Sequence, residues 1–120
     1  VIDYSIARKL SIAMPQPHDT IFKTLADPTR RAIFERLCRD GEQTVKALTA
    51  RIGISQPAVS KHLGLLRQAG LVRDRHQGRQ THYSAQPGAL APLVDWTQQM
   101  ADVWQSRFDE LEDLLARMDQ

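Results

Sequence analysis

Cysteine is nearly missing: Cys38 is the only one in 120 residues, so no disulfide can form within the chain. That suits a reducing compartment, and the expectation is a cytoplasmic protein. Long apolar runs are missing too, and none approaches the ~20 residues that a helix needs to cross a bilayer. The N-terminal VIDYSIARKLSIAM lacks the apolar stretch of ~7–15 residues found in secretory signals. Acidic residues are scarce in the middle of the chain. Over residues 51–83, Asp74 is the only acid against Arg51, Lys61, Arg67, Arg73, Arg75 and Arg79, a net of +5. Residues 84–120 reverse this, with seven acids against Arg107 and Arg117, a net of −5. The formal charge of +2 hides this polarity. A basic middle predicts a polyanionic partner for that part of the chain alone. No Ser/His/Asp order, Gly-rich phosphate loop or pair of cleft carboxylates can be assembled, which argues against an enzyme.

What is present is dense helix punctuation. In LADPTRRAIFERLCRDGE, Asp27 stands where an N-cap belongs and Pro28 takes the first helical position, where its missing N–H costs nothing. Ile33, Phe34, Leu37 and Cys38 form an apolar stripe, with Cys38 read as a buried apolar residue, and Gly41 follows the end. Ahead of it, HDTIFKTLA predicts a short helix with Ile21, Phe22 and Leu25 facing inward. Thr44 can cap VKALTARI, whose Val45, Leu48 and Ile52 share a face, and Gly53 ends it. Ser55 caps QPAVSKHLGLLRQA, with Pro57 confined to the first turn, and Gly70 closes that helix. Two short helices joined by GIS make a helix-turn-helix.

Past Gly70 the periodicity changes. LVRDRHQGRQTHYSA, with a turn at Gln77-Gly78, predicts a β-hairpin of residues 71–76 and 80–84. The expected fold is therefore mainly α with a small β-hairpin, a winged helix-turn-helix in the order α-α-α-α-β-β-α. Residues 15–86 form this unit, and residues 1–14 are an N-terminal extension or tag remnant. If native, Ile2, Ile6 and Leu10 lie at helical spacing and could lengthen a dimer contact. Residues 87–120 are expected to form a dimerisation helix, running over roughly 89–118 after Pro87 and Gly88. Thr97, Ala101, Trp104, Phe108, Leu111, Leu115 and Met118 recur there at alternating steps of four and three, a coiled-coil-like seam. Leu93, Trp96, Met100 and Val103 widen it. A stripe this broad exceeds what a small monomer covers, which predicts a second subunit.

Three separated segments, TLADPTRRAIFERL, SQPAVSKHLGLLRQAGLV and GRQTHY, resemble in order and spacing the ArsR/SmtB-type winged-helix repressors of bacteria and archaea. The match covers about residues 18–85. The resemblance implies a homodimer, held by the first and last helices, that binds a palindromic operator and blocks transcription. Ile21 and Phe22 of the first helix, with Leu93, Trp96, Met100, Trp104, Phe108, Leu111 and Leu115 of the last, are the expected dimer contacts. Many members of that family release DNA on binding a metal ion. Metal-sensing members commonly carry Cys-x-Cys at the start of the helix before the recognition helix, and the matching positions here are Thr44 and Lys46. A second metal site uses His and carboxylates along the last helix, and no histidine follows His82. Cys38 with His18, His62, His76 and His82 does not supply a cluster of soft or borderline donors. The chain instead resembles the non-metal branch, whose members often have W…W…RF…L, here Trp96, Trp104, Arg107, Phe108 and Leu111. No metal and no cofactor is expected, and the inducer is undefined. Two alternatives stand beside this one: a metal- or redox-responsive repressor with a non-standard site, and a winged helix that docks protein through its acidic last helix.

The recognition helix divides by its own spacing. Val59, Leu63 and Leu66 point to the core, and the opposite face shows Gln56, Ser60, Lys61, Gly64 and Arg67. Its N-terminal half is expected in the major groove, where Gln can pair with adenine and Ser can serve several bases. Lys61 and Arg67 are expected on phosphates. His62 either packs within the fold or reaches a phosphate. In the hairpin, Arg79 at the tip suits a minor groove, Arg73, Arg75 and Gln80 line the strands toward phosphates, and Asp74 and Tyr83 are structural. Gly64 inside a helix costs about 1 kcal/mol against Ala, so it marks either a close backbone approach or a neutral surface position.

Overall fold

The computed structural model describes residues 14–119. Ile2, Ile6 and Leu10, expected to lengthen a dimer contact, lie outside the described residues. Within them, the second, third and fourth helices start where a side chain accepts a backbone N–H, whereas the first and last start without a side-chain cap. Helix α1 (Asp19–Leu25) leads into α2 (Pro28–Asp40), where Asp27 accepts the Arg30 N–H and Pro28 opens the helix. A two-residue strand β1 (Gln43–Thr44) runs straight into α3 (Val45–Ile52), and Thr44 caps it by accepting the Ala47 N–H at 3.1 Å. Gly53 ends α3 at φ 80°, a left-handed position that disfavours a side chain. Ser55 then caps α4 (Gln56–Gln68) through the Ala58 N–H.

Strands β2 (Val72–Gln77) and β3 (Gln80–Ala85) form the hairpin, and α5 (Ala91–Met118) closes the chain. Against the expected 71–76 and 80–84, the first strand lies one residue later at both ends and the second runs one residue further, to Ala85. Gln77 pairs with Gln80, and the turn is Gly78-Arg79 rather than Gln77-Gly78. Gly78 has φ 62° and occupies the first central position, where a II′ hairpin turn places glycine. Strand β1 was not anticipated. It pairs antiparallel with β3 through Gln43↔Tyr83 and Thr44↔His82, giving a three-stranded sheet in the order β1-β3-β2.

Burial follows from the two periodicities. Ile33, Phe34 and Leu37 of α2, Leu48 of α3, and Val59, Leu63 and Leu66 of α4 meet Leu71, Val72 and Tyr83 in one core. A fully buried Leu or Ile contributes about 1.5–3 kcal/mol, so this cluster is what holds the helix-turn-helix against the hairpin. On β2 and β3, Val72, Asp74, Tyr83 and Ala85 share the core side. Arg73, Arg75, Gln77, Gln80, His82 and Ser84 alternate onto the outer face.

Two expected core residues are exposed. Phe22 is 41% exposed while its neighbour Ile21 is enclosed, because seven residues of α1 bury only one narrow edge. Cys38 is also exposed rather than buried, since the helix turns it past the core edge that Leu37 fills. Helix α5 has no buried residue in 28. No helix among the described residues is long and apolar enough to cross a membrane.

Candidate nucleic-acid interface

Burying Val59, Leu63 and Leu66 turns the opposite face of α4 to the surface, where Gln56, Ser60, Lys61 and Arg67 are all exposed. Gln56 and Ser60 do not stand alone there. They line a cleft of about 370 Å³ together with Arg79, Gln80 and Thr81 of the hairpin and Thr44, Val45 and Lys46 at the start of α3. The N-terminal ends of the consecutive helices α3 and α4 and the hairpin tip, about twenty residues further on, therefore open on one recess. The contribution of Lys46 was not anticipated. Its signal was present as a cation in the first turn of a capped helix, but only the short strand β1 carries that turn beside the wing.

The cations divide into compensated and uncompensated sets. Arg67 donates to the Asp74 carboxylate at 2.9 Å, and Arg51 lies 3.7 Å from Asp40. Arg75 is held most fully: Nη2 and Nε donate to Glu42 at 2.5 and 3.4 Å, and Nη1 to the Gln77 amide oxygen at 2.8 Å. That fork holds the Glu42 carboxyl below its usual range and raises Arg75 further above neutrality. Arg73 donates to the Ser84 hydroxyl at 3.3 Å. Among the described residues, Lys46 and Arg79, which line the cleft, have no ion pair, and neither has Lys61 on the exposed face of α4; Lys23, Arg30, Arg31, Arg39, Arg73 and Arg117, which do not line it, have none either.

His62 does not face outward. Its ring turns toward the start of α2, with Nδ1 enclosed, without a hydrogen bond, and 4.0 Å from the Asp27 carboxylate. Of the two expectations for His62, packing within the fold or a phosphate contact, the position of Nδ1 accords with the first. Asp27 itself is held below the usual carboxylate range, chiefly by the Arg30 N–H it accepts. A Cβ built on Gly64 would meet nothing within 4 Å, so no neighbouring helix demands the glycine.

A second surface lies along α5. His18, Phe22 and Trp96 form an aromatic cluster joining α1 to α5, with Phe22 and Trp96 edge to face at 5.0 Å between centroids. Beyond it, Trp104, Phe108, Leu111 and Leu115 are each at least half exposed, and Met100 is exposed as well. Leu93 packs against the core edge and Trp96 is half-buried. Ile21 belongs to the core, and Phe22 is the exposed large apolar residue of α1.

A third recess, about 560 Å³, runs from Phe34 and Cys38 on α2 to residues 85–91, Val94 and Asp95. Partial burial, and then Glu35, push the Cys38 thiol above its ordinary value, which keeps it out of the reactive thiolate form. Among the described residues no three His, Cys, Asp or Glu side chains converge as metal donors.

Comparison with known proteins gives consistent relatives. A helix-turn-helix domain family matches residues 25–75. The chain is similar to the transcriptional repressor SdpR of Bacillus subtilis (strain 168), 33% identical over 78 residues, covering 65% of this chain and 86% of that protein. It is similar to the arsenical resistance operon repressor of Escherichia coli (strain K12), 35% identical over 99 residues and covering 82% and 81%. Its fold is similar to the crystal structure of an ArsR family transcriptional regulator, with a TM-score of 0.68 and 32% identity. That match covers 78% of this chain and 98% of the other.

Proposed function

This chain belongs to the ArsR family of winged helix-turn-helix, DNA-binding transcriptional regulators, and from that premise we propose that it is a repressor acting as a homodimer on a palindromic operator. Residues 15–86 bind DNA and residues 87–120 supply the dimer contact. Gln56 and Ser60 enter the major groove and read bases. Lys61 and Lys46 neutralise phosphates at the groove edges, and Arg79 at the hairpin tip enters the flanking minor groove. Arg73 and Gln80 contact the backbone from the strands. Arg67 and Arg75 contribute less than their charge suggests, because Asp74 and Glu42 already compensate them.

The observation that carries this reading is the cleft shared by α4, the hairpin tip and the start of α3. It unites base-reading amides and hydroxyls with uncompensated cations. A rigid convex helix beside a protruding hairpin suits adjacent grooves of a duplex. The exposed stripe of Met100, Trp104, Phe108, Leu111 and Leu115 supports a second copy as its cover, since a soluble monomer seldom leaves so large an apolar patch open. Two-fold pairing then presents two recognition helices about one helical turn apart. With Lys46, Lys61 and Arg73 from each protomer on phosphates, affinity falls with salt at a log–log slope of about −5.

Selection of bound sequences from random duplexes tests the assignment. The expected result is an inverted repeat whose preference Gln56→Ala relaxes at one position of each half-site, by about 1–3 kcal/mol of discrimination. An unchanged preference in Gln56→Ala would remove α4 from the major groove.

A further inference from the structure

Glu42 lies outside the cleft and carries the wrong sign for a DNA contact. Its surroundings give it another use. The residue stands immediately before β1, whose Thr44 both caps α3 and pairs with His82 of the hairpin. From there its side chain crosses the outer face of the sheet. The carboxylate lies 3.5 Å from His82 Nδ1 on the middle strand β3 and takes the forked donors of Arg75 on the far strand β2. Arg75 is fixed in turn by Gln77, the last residue before the Gly78-Arg79 turn.

One carboxylate therefore spans all three strands. It joins the start of the helix-turn-helix to the base of the hairpin tip. Backbone pairing between the two is slight, because β1 offers only two residues. The base of the hairpin is anchored by Val72 and Tyr83 in the core and by the Arg67–Asp74 pair, so the freedom that remains is toward its tip, and a bend there changes where Arg79 sits relative to α4.

We propose that Glu42 is a positioning residue for DNA binding, locking the wing at the angle at which Arg79 and the recognition helix engage adjacent grooves together. The inference rests on the interface assigned above. It makes a prediction opposite in sign to plain electrostatics. Removing a negative charge beside a DNA-binding surface should strengthen binding to a polyanion, whereas unlocking the wing should weaken it.

The test uses the full chain and a duplex recovered by the selection, with affinities measured for the unaltered protein, Glu42→Gln, Arg79→Ala and the double variant. Thermal unfolding is followed in the same samples. Both partners of the pair are substantially exposed, so the expected loss for Glu42→Gln is modest, about two- to fivefold. The loss should vanish in the Arg79→Ala background, because a wing without its tip cation gains nothing from being aimed. A purely structural role would give the same loss in both backgrounds. Tighter or unchanged binding by Glu42→Gln, a loss that persists undiminished without Arg79, or a general loss of fold would each overturn the proposal. If Arg79→Ala alone leaves affinity unchanged, the wing assignment fails and takes the Glu42 role with it. If Arg79→Ala weakens binding while Glu42→Gln does not, only the positioning role fails.

Discussion

Leucines of α4 and leucines of α5 recur at similar helical spacing, yet their surroundings are opposite. Leu63 and Leu66 are fully enclosed by α2, α3 and the hairpin. Leu111 and Leu115 stand 50% and 53% exposed on a helix that buries none of its residues. Apolar periodicity identifies which face seeks cover; it does not say whether the cover comes from the same chain. In α4 the demand is met internally, and the opposite face is free to present polar and cationic groups. In α5 the demand is unmet, which is the physical reason for assigning that face to a second copy.

The same substitution made in both helices sharpens this contrast. Leu63→Ala should cost about 2–5 kcal/mol of folding stability, read by denaturant unfolding and independent of protein concentration. Leu111→Ala should lower the unfolding midpoint in a concentration-dependent way, since its loss falls on association. Equal, concentration-independent losses at both positions would break the comparison. A smaller effect of opposite sign is expected on the solvent face of α4. Because a side chain at Gly64 meets open space, Gly64→Ala should stabilise the fold by roughly 0.5–1 kcal/mol in thermal unfolding. A loss of stability there would contradict the open surroundings. Unchanged DNA affinity in the same variant would mark the glycine as neutral, and a sharp loss would mark close backbone approach.

The starts of α2, α3 and α4 were legible because each depends on a residue adjacent in sequence. Asp27, Thr44 and Ser55 cap through an N–H three positions on, so local reading finds them. The hairpin was legible in kind but not in register. Gln77-Gly78 and Gly78-Arg79 are both plausible turns until the pairing of Gln77 with Gln80 decides between them. Strand β1 was not legible, since two residues carry no periodicity and Thr44 already had a role as a cap.

For the interface, the outward face of α4 followed from its buried face. Its electrostatics did not. The fork from Arg75 to Glu42 joins residues 33 positions apart, and Arg67 meets Asp74 only because the hairpin folds back beside α4. Basic residues counted along the chain thus overstate the free charge. Cys38 and Phe22 failed as core residues for a related reason. Both lie at the edge of an apolar stripe, where burial depends on how far the neighbouring element extends.

The pairing of two recognition helices rests on the proposed dimerisation through α5, which sedimentation equilibrium of the purified chain at micromolar concentration tests directly. The account predicts a particle of twice 13.6 kDa that shifts toward 13.6 kDa in Trp104→Glu. A single species of 13.6 kDa at every concentration for the unaltered protein would contradict it.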